Sequence, residues 1–111
     1  MKTEVLDELF AARDALSDMI IALSPTDDAS RKALGDLLAR RDRLTGCIRA
    51  VIASEFDDFA VGLAEKLAGL AERTHELENL KRSLDQVLAA IGIVDKIVQV
   101  TGAIVSIAAK V

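Results

Sequence analysis

The chain has no Trp and no Tyr, and three Phe are its only aromatic side chains. Ligand pockets draw on aromatic walls with a few convergent polar groups, so this is poor material for one. A single cysteine, Cys47, excludes an internal disulfide and favours a reducing compartment. One Pro and six Gly in 111 residues give too little punctuation for a turn-rich fold. Positive charge is also short. Against 18 Asp and Glu stand 14 Lys and Arg, a net charge of −4 with pI near 4.9. Nucleic acid is therefore not an expected partner, because phosphate binding needs a basic surface. Arg40, Arg41 and Arg43 form a local basic cluster, but with Asp36 and Asp42 beside them they read as a solvated helix face. The opening Met1-Lys2-Thr3-Glu4 lacks the basic-then-apolar layout of a cleaved secretory signal. A cytoplasmic location is the expectation.

What is abundant is aliphatic. Hydrophobic residues make up 51% of the chain, so its core must be built from Leu, Ile, Val and Ala interlocking along helices. Ala, Leu, Glu, Lys and Arg favour helix at most exposed positions. The expected fold is all-α and a single domain over 1–111. An antiparallel helical hairpin (1–54) precedes a long amphipathic heptad helix (55–91) and an apolar C-terminal helix (92–111), together a three- to four-helix bundle.

The first half divides cleanly. Val5, Leu9, Ala12, Leu16, Met19 or Ile20, and Leu23 step by threes and fours, the stripe of one helix, with Thr3 a candidate cap. Ser24-Pro25-Thr26-Asp27-Asp28 ends it, and Thr26 or either Asp can cap the next. A second stripe runs through Leu34, Leu37, Leu38, Leu44, Ile48, Val51 and Ile52. Ser54 is placed to end that helix and cap a third, with Asp57 as a weak capping-box partner.

The second half carries the strongest pattern. Phe56, Leu63, Leu70, Leu77, Leu84, Ile91, Val98 and Val105 fall at strict seven-residue intervals, with Phe59, Leu80, Val87 and Val94 at the complementary position. Lys66 and Arg73 take that second position in the early heptads, leaving Leu67 to make up the contact. One helical phase is expected from Phe56 to Val105, as a single helix or as two joined by a break or kink near Gly92. From Val87 onward the sequence is apolar nearly all round, so a neighbour must cover more than one side.

Chemical motifs are weak. Glu72 and His75 sit at the one-turn spacing of a metal-ligating Glu-x-x-His, but with Leu70 and Leu77 inward they point to solvent. Cys47 has only His75 as an activating base, and nothing in sequence places the two together. The glycines are isolated on helices and form no phosphate loop. No catalytic, cofactor or metal residue is expected, and no enzymatic activity.

The expected function is that of a non-enzymatic helical interaction protein, adaptor-like, chaperone-like or inhibitor-like. It self-associates or binds a protein partner through apolar helix faces, with Leu77, Leu84, Ile91, Val94, Val98, Gly102 and Val105 as the interface. The alternative is a membrane-active or pore-forming accessory protein in which residues 87–110 insert when uncovered. Against it, Asp95 and Lys96 divide the apolar run, and charges in mid-bilayer are costly.

Overall fold

A computed structural model describes residues 1–108. The protein is an all-α bundle whose described residues form four α-helices: α1 (Lys2–Ala22), α2 (Asp28–Ala53), α3 (Leu63–Glu78) and α4 (Val87–Ala108). It measures 49 × 22 × 17 Å. Residues 109–111 of the expected C-terminal helix lie outside the described residues.

Each helix buries the stripe that its spacing dictates. Val5, Leu9, Ala12, Leu16 and Met19 are the inner face of α1, and Leu37, Leu44, Ile48 and Val51 that of α2. In α3, Leu63, Leu70 and Leu77 are buried with Thr74 between them, so the second stripe runs one residue later than Lys66 and Arg73. In α4 the buried set is Val87, Ala90, Val94, Ile97, Thr101, Ile104 and Ala108, an unbroken three-four alternation.

The order of packing is unusual for a sequential bundle. α1 packs on α2 and α3, and α4 packs on α2 and α3, so α1/α4 and α2/α3 are the diagonals. Contacts between Glu8 and Thr74, and between Asp18 and Arg82, show α1 and α3 running in the same direction. Arg40 against Asp95, with Cys47 against Val98 and Gly102 further on, shows the same for α2 and α4. Two antiparallel hairpins are thus laid side by side. The connection 54–62 crosses the end of the bundle to join them, and the Asp57 N–H donates to the Ala108 carbonyl at 2.7 Å there.

Several expected boundaries move. α1 begins at Lys2 with Met1 at its cap and no side-chain cap bond, so Thr3 is the second helical residue. Ser54 does end α2, but it does not start a helix. The third helix waits until Leu63, entered through Gly62 at φ 85°, a left-handed turn that glycine alone adopts without strain. Phe56 and Phe59 therefore belong to a connection rather than to a heptad helix. The break expected near Gly92 is absent, since α4 is continuous there, and a glycine penalty of about 1 kcal/mol is small beside seven buried neighbours. The chain breaks instead at Asn79–Ser83, followed by a single 3-10 turn at Leu84–Gln86.

That break resets the helical phase. Leu63, Leu70 and Leu77 are core, but their sevenfold successors Leu84, Ile91, Val98 and Val105 stand beside the core of α4. The outermost face of α4 consists of Ala89, Gly92, Lys96, Gln99 and Ser106, all exposed, so the helix is not apolar all round.

The α1–α2 turn is fixed by Asp27. Its carboxylate accepts from the Ser30 N–H at 2.8 Å, while the Asp27 N–H donates to Ser30 Oγ at 3.1 Å, a closed capping box. At the opposite end, Lys2 Nζ donates to the carbonyls of Ile52 and Ser54, covering the last turn of α2.

Two predictions follow from this packing. Ile104→Ala, at a fully buried site, costs about 2–5 kcal/mol in chemical denaturation, whereas Leu88→Ala, at an 83% exposed site on the same helix, changes little. Equal losses would mean that the inner stripe of α4 is misassigned. The second concerns pH. The backbone N–H and then the hydroxyl of Ser30 hold the Asp27 carboxyl below its ordinary value. A carboxyl depressed by folding contributes stability that is full above its unfolded pKa and is lost as pH falls through the folded one. Asp27→Asn keeps an acceptor but cannot titrate. Its deficit in melting temperature at neutral pH is therefore expected to shrink below pH 3.8, and a deficit independent of pH would count against the charged cap.

Candidate interaction groove

Because α2 and α4 run parallel, no short loop crosses between them, and the outer side of their seam is open along its length. Its α4 wall follows a second three-four alternation: Leu84, Leu88 and Ile91, then Asp95, then Val98, Gly102 and Val105. The α2 wall answers in the same rhythm with Ala29, Ala33 and Asp36, then Arg40 and Arg43, then Cys47 and Ala50. Small residues on α2 let the larger side chains of α4 stand above a shallow floor. The result is two hollows, of about 300 Å³ at the end holding Leu88 and about 370 Å³ at the end holding Gly102.

Between the hollows sits the polar centre. Arg40 Nε lies 3.1 Å from Asp95 Oδ1, and Arg43 Nη1 reaches the same oxygen at 3.6 Å. Arg40 is the more enclosed of the two, and Arg43 is 58% exposed. Ion pairs this open to water contribute about 0–1 kcal/mol, so they orient the helices more than they stabilise them.

Of the seven interface residues expected from sequence, the structure brings five to this groove. Leu84 (44% exposed) and the half-buried Ile91, Val98 and Val105 line it together with Gly102. The other two lie elsewhere: Leu77 and Val94 are buried in the bundle's own core and cannot meet a partner without unfolding it. The whole α2 wall escaped sequence reading, because a wall of Ala, Cys and charged residues lacks hydrophobic contrast. The only signal was indirect: Ala29 and Ala50, and Ala33 and Cys47, stand three and two heptads apart, with Asp36, Arg43 and Arg40 at the steps between.

The glycines add a further point. A Cβ placed on Gly46 or Gly102 would meet nothing within 4 Å. Both lie inside helices, where glycine costs about 1 kcal/mol relative to alanine. The same open space is found at every glycine of the chain, so it does not single these two out.

The remaining chemistry-bearing groups are dispersed. Glu72 and His75 are exposed on α3, and no group of three His, Cys, Asp or Glu side chains comes together among the described residues. Cys47 lies in the wider hollow, and burial pushes its thiol up from its ordinary value, away from the reactive thiolate. It stands on α2, diagonally across the bundle from His75 on α3. A separate apolar feature is the tip of the 54–62 connection, where Phe59 and Val61 are 95% and 94% exposed. No protein-family model, curated protein or solved structure matches the sequence.

Proposed function

We propose that this chain is a non-enzymatic docking protein that receives apolar helices along the α2/α4 groove, in the manner of an adaptor, chaperone-like or inhibitor-like protein. One observation carries the reading: α4 has two heptad-spaced apolar seams, and the bundle fully covers only the inner one. Two facing seams with large residues on one wall and small residues on the other suit a helix whose side chains interdigitate. Leu88, at 83% exposure, is the largest uncovered element of the outer seam. Burying such a side chain is worth about 1.5–3 kcal/mol, a drive toward association.

A photo-reactive residue at Leu88 tests this, with one at the exposed Glu72 on α3 as control. Adducts are expected from Leu88, to a peptide with apolar residues at three- and four-residue spacing, and not from Glu72. Equal yields at both positions would remove the reading.

A second reading rests on the segment Leu84–Ala108, which by length and composition alone suffices to cross a bilayer. In it α4 leaves the bundle and inserts, with 87–110 as the membrane stretch. Such insertion strips α3 and α2 of their cover and carries Asp95 and Lys96 into hydrocarbon at several kcal/mol. Under the docking reading the chain remains unbound in flotation with neutral and anionic vesicles at neutral and acid pH. Co-flotation of the full chain would replace docking with insertion.

A further inference from the structure

We infer that the outer face of the α1/α2 hairpin, a surface separate from the α2/α4 groove, docks an acidic amphipathic helix of another protein. Arginines without ion-pair partners and partly covered apolar side chains coincide there, whether or not the groove is occupied.

Two sides of each helix are accounted for. On α1, Val5, Leu9, Ala12, Leu16 and Met19 face the core, while Glu8 and Asp18 contact α3. The other flank therefore reads Lys2, Leu6, Phe10, Arg13 and Ser17, in steps of three and four. On α2 the core takes Leu37, Leu44, Ile48 and Val51, and the groove takes the side of Ala33, Arg40 and Cys47. That leaves Leu34, Leu38, Arg41, Thr45 and Ile52 on the flank where α1 packs. Neither series contains an Asp or a Glu, although the chain carries a net charge of −4.

The two series meet in a definite register. Lys2 Nζ donates to the Ile52 carbonyl, which sets the level of the antiparallel helices. Counted from that pair, Arg13 is eleven residues along α1 and Arg41 eleven residues back along α2, each about 16 Å away. Two half-buried arginines thus stand level on one face. Neither has an ion-pair partner among the described residues, and nor does the exposed Arg49 further along α2. Arg13 is held over the Phe10 ring, 5.1 Å from its centre, which fixes the guanidinium without neutralising it. Leu6, Phe10 and Ile52 lie toward one end of this level, and Leu34 and Leu38 toward the other. Phe10, Leu38 and Ile52 are exposed.

Like charges held level gain nothing from each other, and an external carboxylate relieves them. The matching occupant brings carboxylates to the middle and apolar side chains to both ends. A helix with acidic residues set among apolar ones at three- and four-residue spacing does this. A flat anionic surface does not fit. The exposed Asp7 and Asp14 stand opposite the core stripe of α1, and the exposed Asp42 stands on the outward side of α2, so a bilayer meets these carboxylates first. A single helix, about 10 Å wide, lies between the two ridges and reaches the arginines. A nucleic-acid base finds Phe10 already covered by Arg13.

The test uses a fluorescein-labelled helical peptide with leucines at three- and four-residue spacing and two glutamates at its middle, titrated into the full chain and followed by anisotropy. Binding is expected to weaken with salt, and about tenfold when glutamines replace the glutamates. Arg13→Gln and Arg41→Gln break no ion pair within the chain, so each keeps the melting temperature while weakening the peptide about tenfold or more. Arg40→Gln, in the groove, leaves peptide binding unchanged. A loss at Arg40→Gln with none at Arg13→Gln and Arg41→Gln assigns the peptide to the groove, which upholds the docking reading and overturns the hairpin face. Absence of binding, equal binding of the glutamate and glutamine peptides, or tighter binding to anionic vesicles or duplex DNA overturns it too. So does a doubled chain mass in light scattering that Arg41→Gln abolishes, which puts a second copy in the helix's place.

Discussion

The bundle depends on covering the inner seam of α4 with aliphatic side chains alone. Val87, Ala90, Val94, Ile97, Thr101, Ile104 and Ala108 run along the whole helix, and every one is buried. Without Trp or Tyr to fill space, the neighbours must come close, and the small members of the seam permit it. Ala90, Thr101 and Ala108 are interspersed with Val94, Ile97 and Ile104, and the Thr101 hydroxyl donates to the Ile97 carbonyl at 2.8 Å, so among the described residues no buried side-chain polar atom is left without a partner. Two helices must share this seam, because a stripe this wide exceeds what one partner hides. Those helices are α2 and α3.

The connectivity follows from that demand. α3 reaches α4 as an antiparallel neighbour through a short link. α2 lies parallel to α4, so it can only be delivered by a hairpin with α1 and a connection that crosses the bundle end. Residues 54–62 do this, with Gly62 supplying the left-handed turn into α3 and Asp57 tied to the end of α4. Parallel neighbours have no loop between them, which leaves the outer α2/α4 seam uncovered. The groove is thus a consequence of how the core is closed, not a feature added to it.

The first hairpin was legible in the sequence because its boundary has chemical marks: Pro25 disfavours helix before it, and Asp27 and Ser30 carry a capping pattern. The α3/α4 boundary was not, for a reason of arithmetic. Leu77 and Leu84 are seven residues apart whether the chain between them is helical or not, and Asn79–Ser83 contains neither Pro nor Gly to betray the break. Counting residues preserved a period that the backbone interrupts, so the sevenfold ridge was carried past Leu77 into α4 as if it were still the core. It is instead the outer seam. The same error placed Leu77 and Val94 with the interface, although both close the interior. Gly92 misled in the opposite direction, since a small local penalty yields to packing on both sides of it.

Polar residues in the middle of an apolar groove call for an account, because they weaken whatever binds there. Replacing Asp95 and Arg40 by leucines would make one long sticky channel, able to hold a helix at many offsets of three or four residues. With the charges present the channel has two apolar compartments separated by a centre that tolerates only a matching arrangement. Open ion pairs of this kind add little stability, but a mismatched charge buried against them costs far more than the pair gains. A polar interruption in a heptad seam fixes register at the expense of affinity. In the docking reading, then, Leu88 and its apolar neighbours supply the attraction. Arg40, Arg43, Asp36 and Asp95 decide how far along the groove, and in which direction, the bound helix lies.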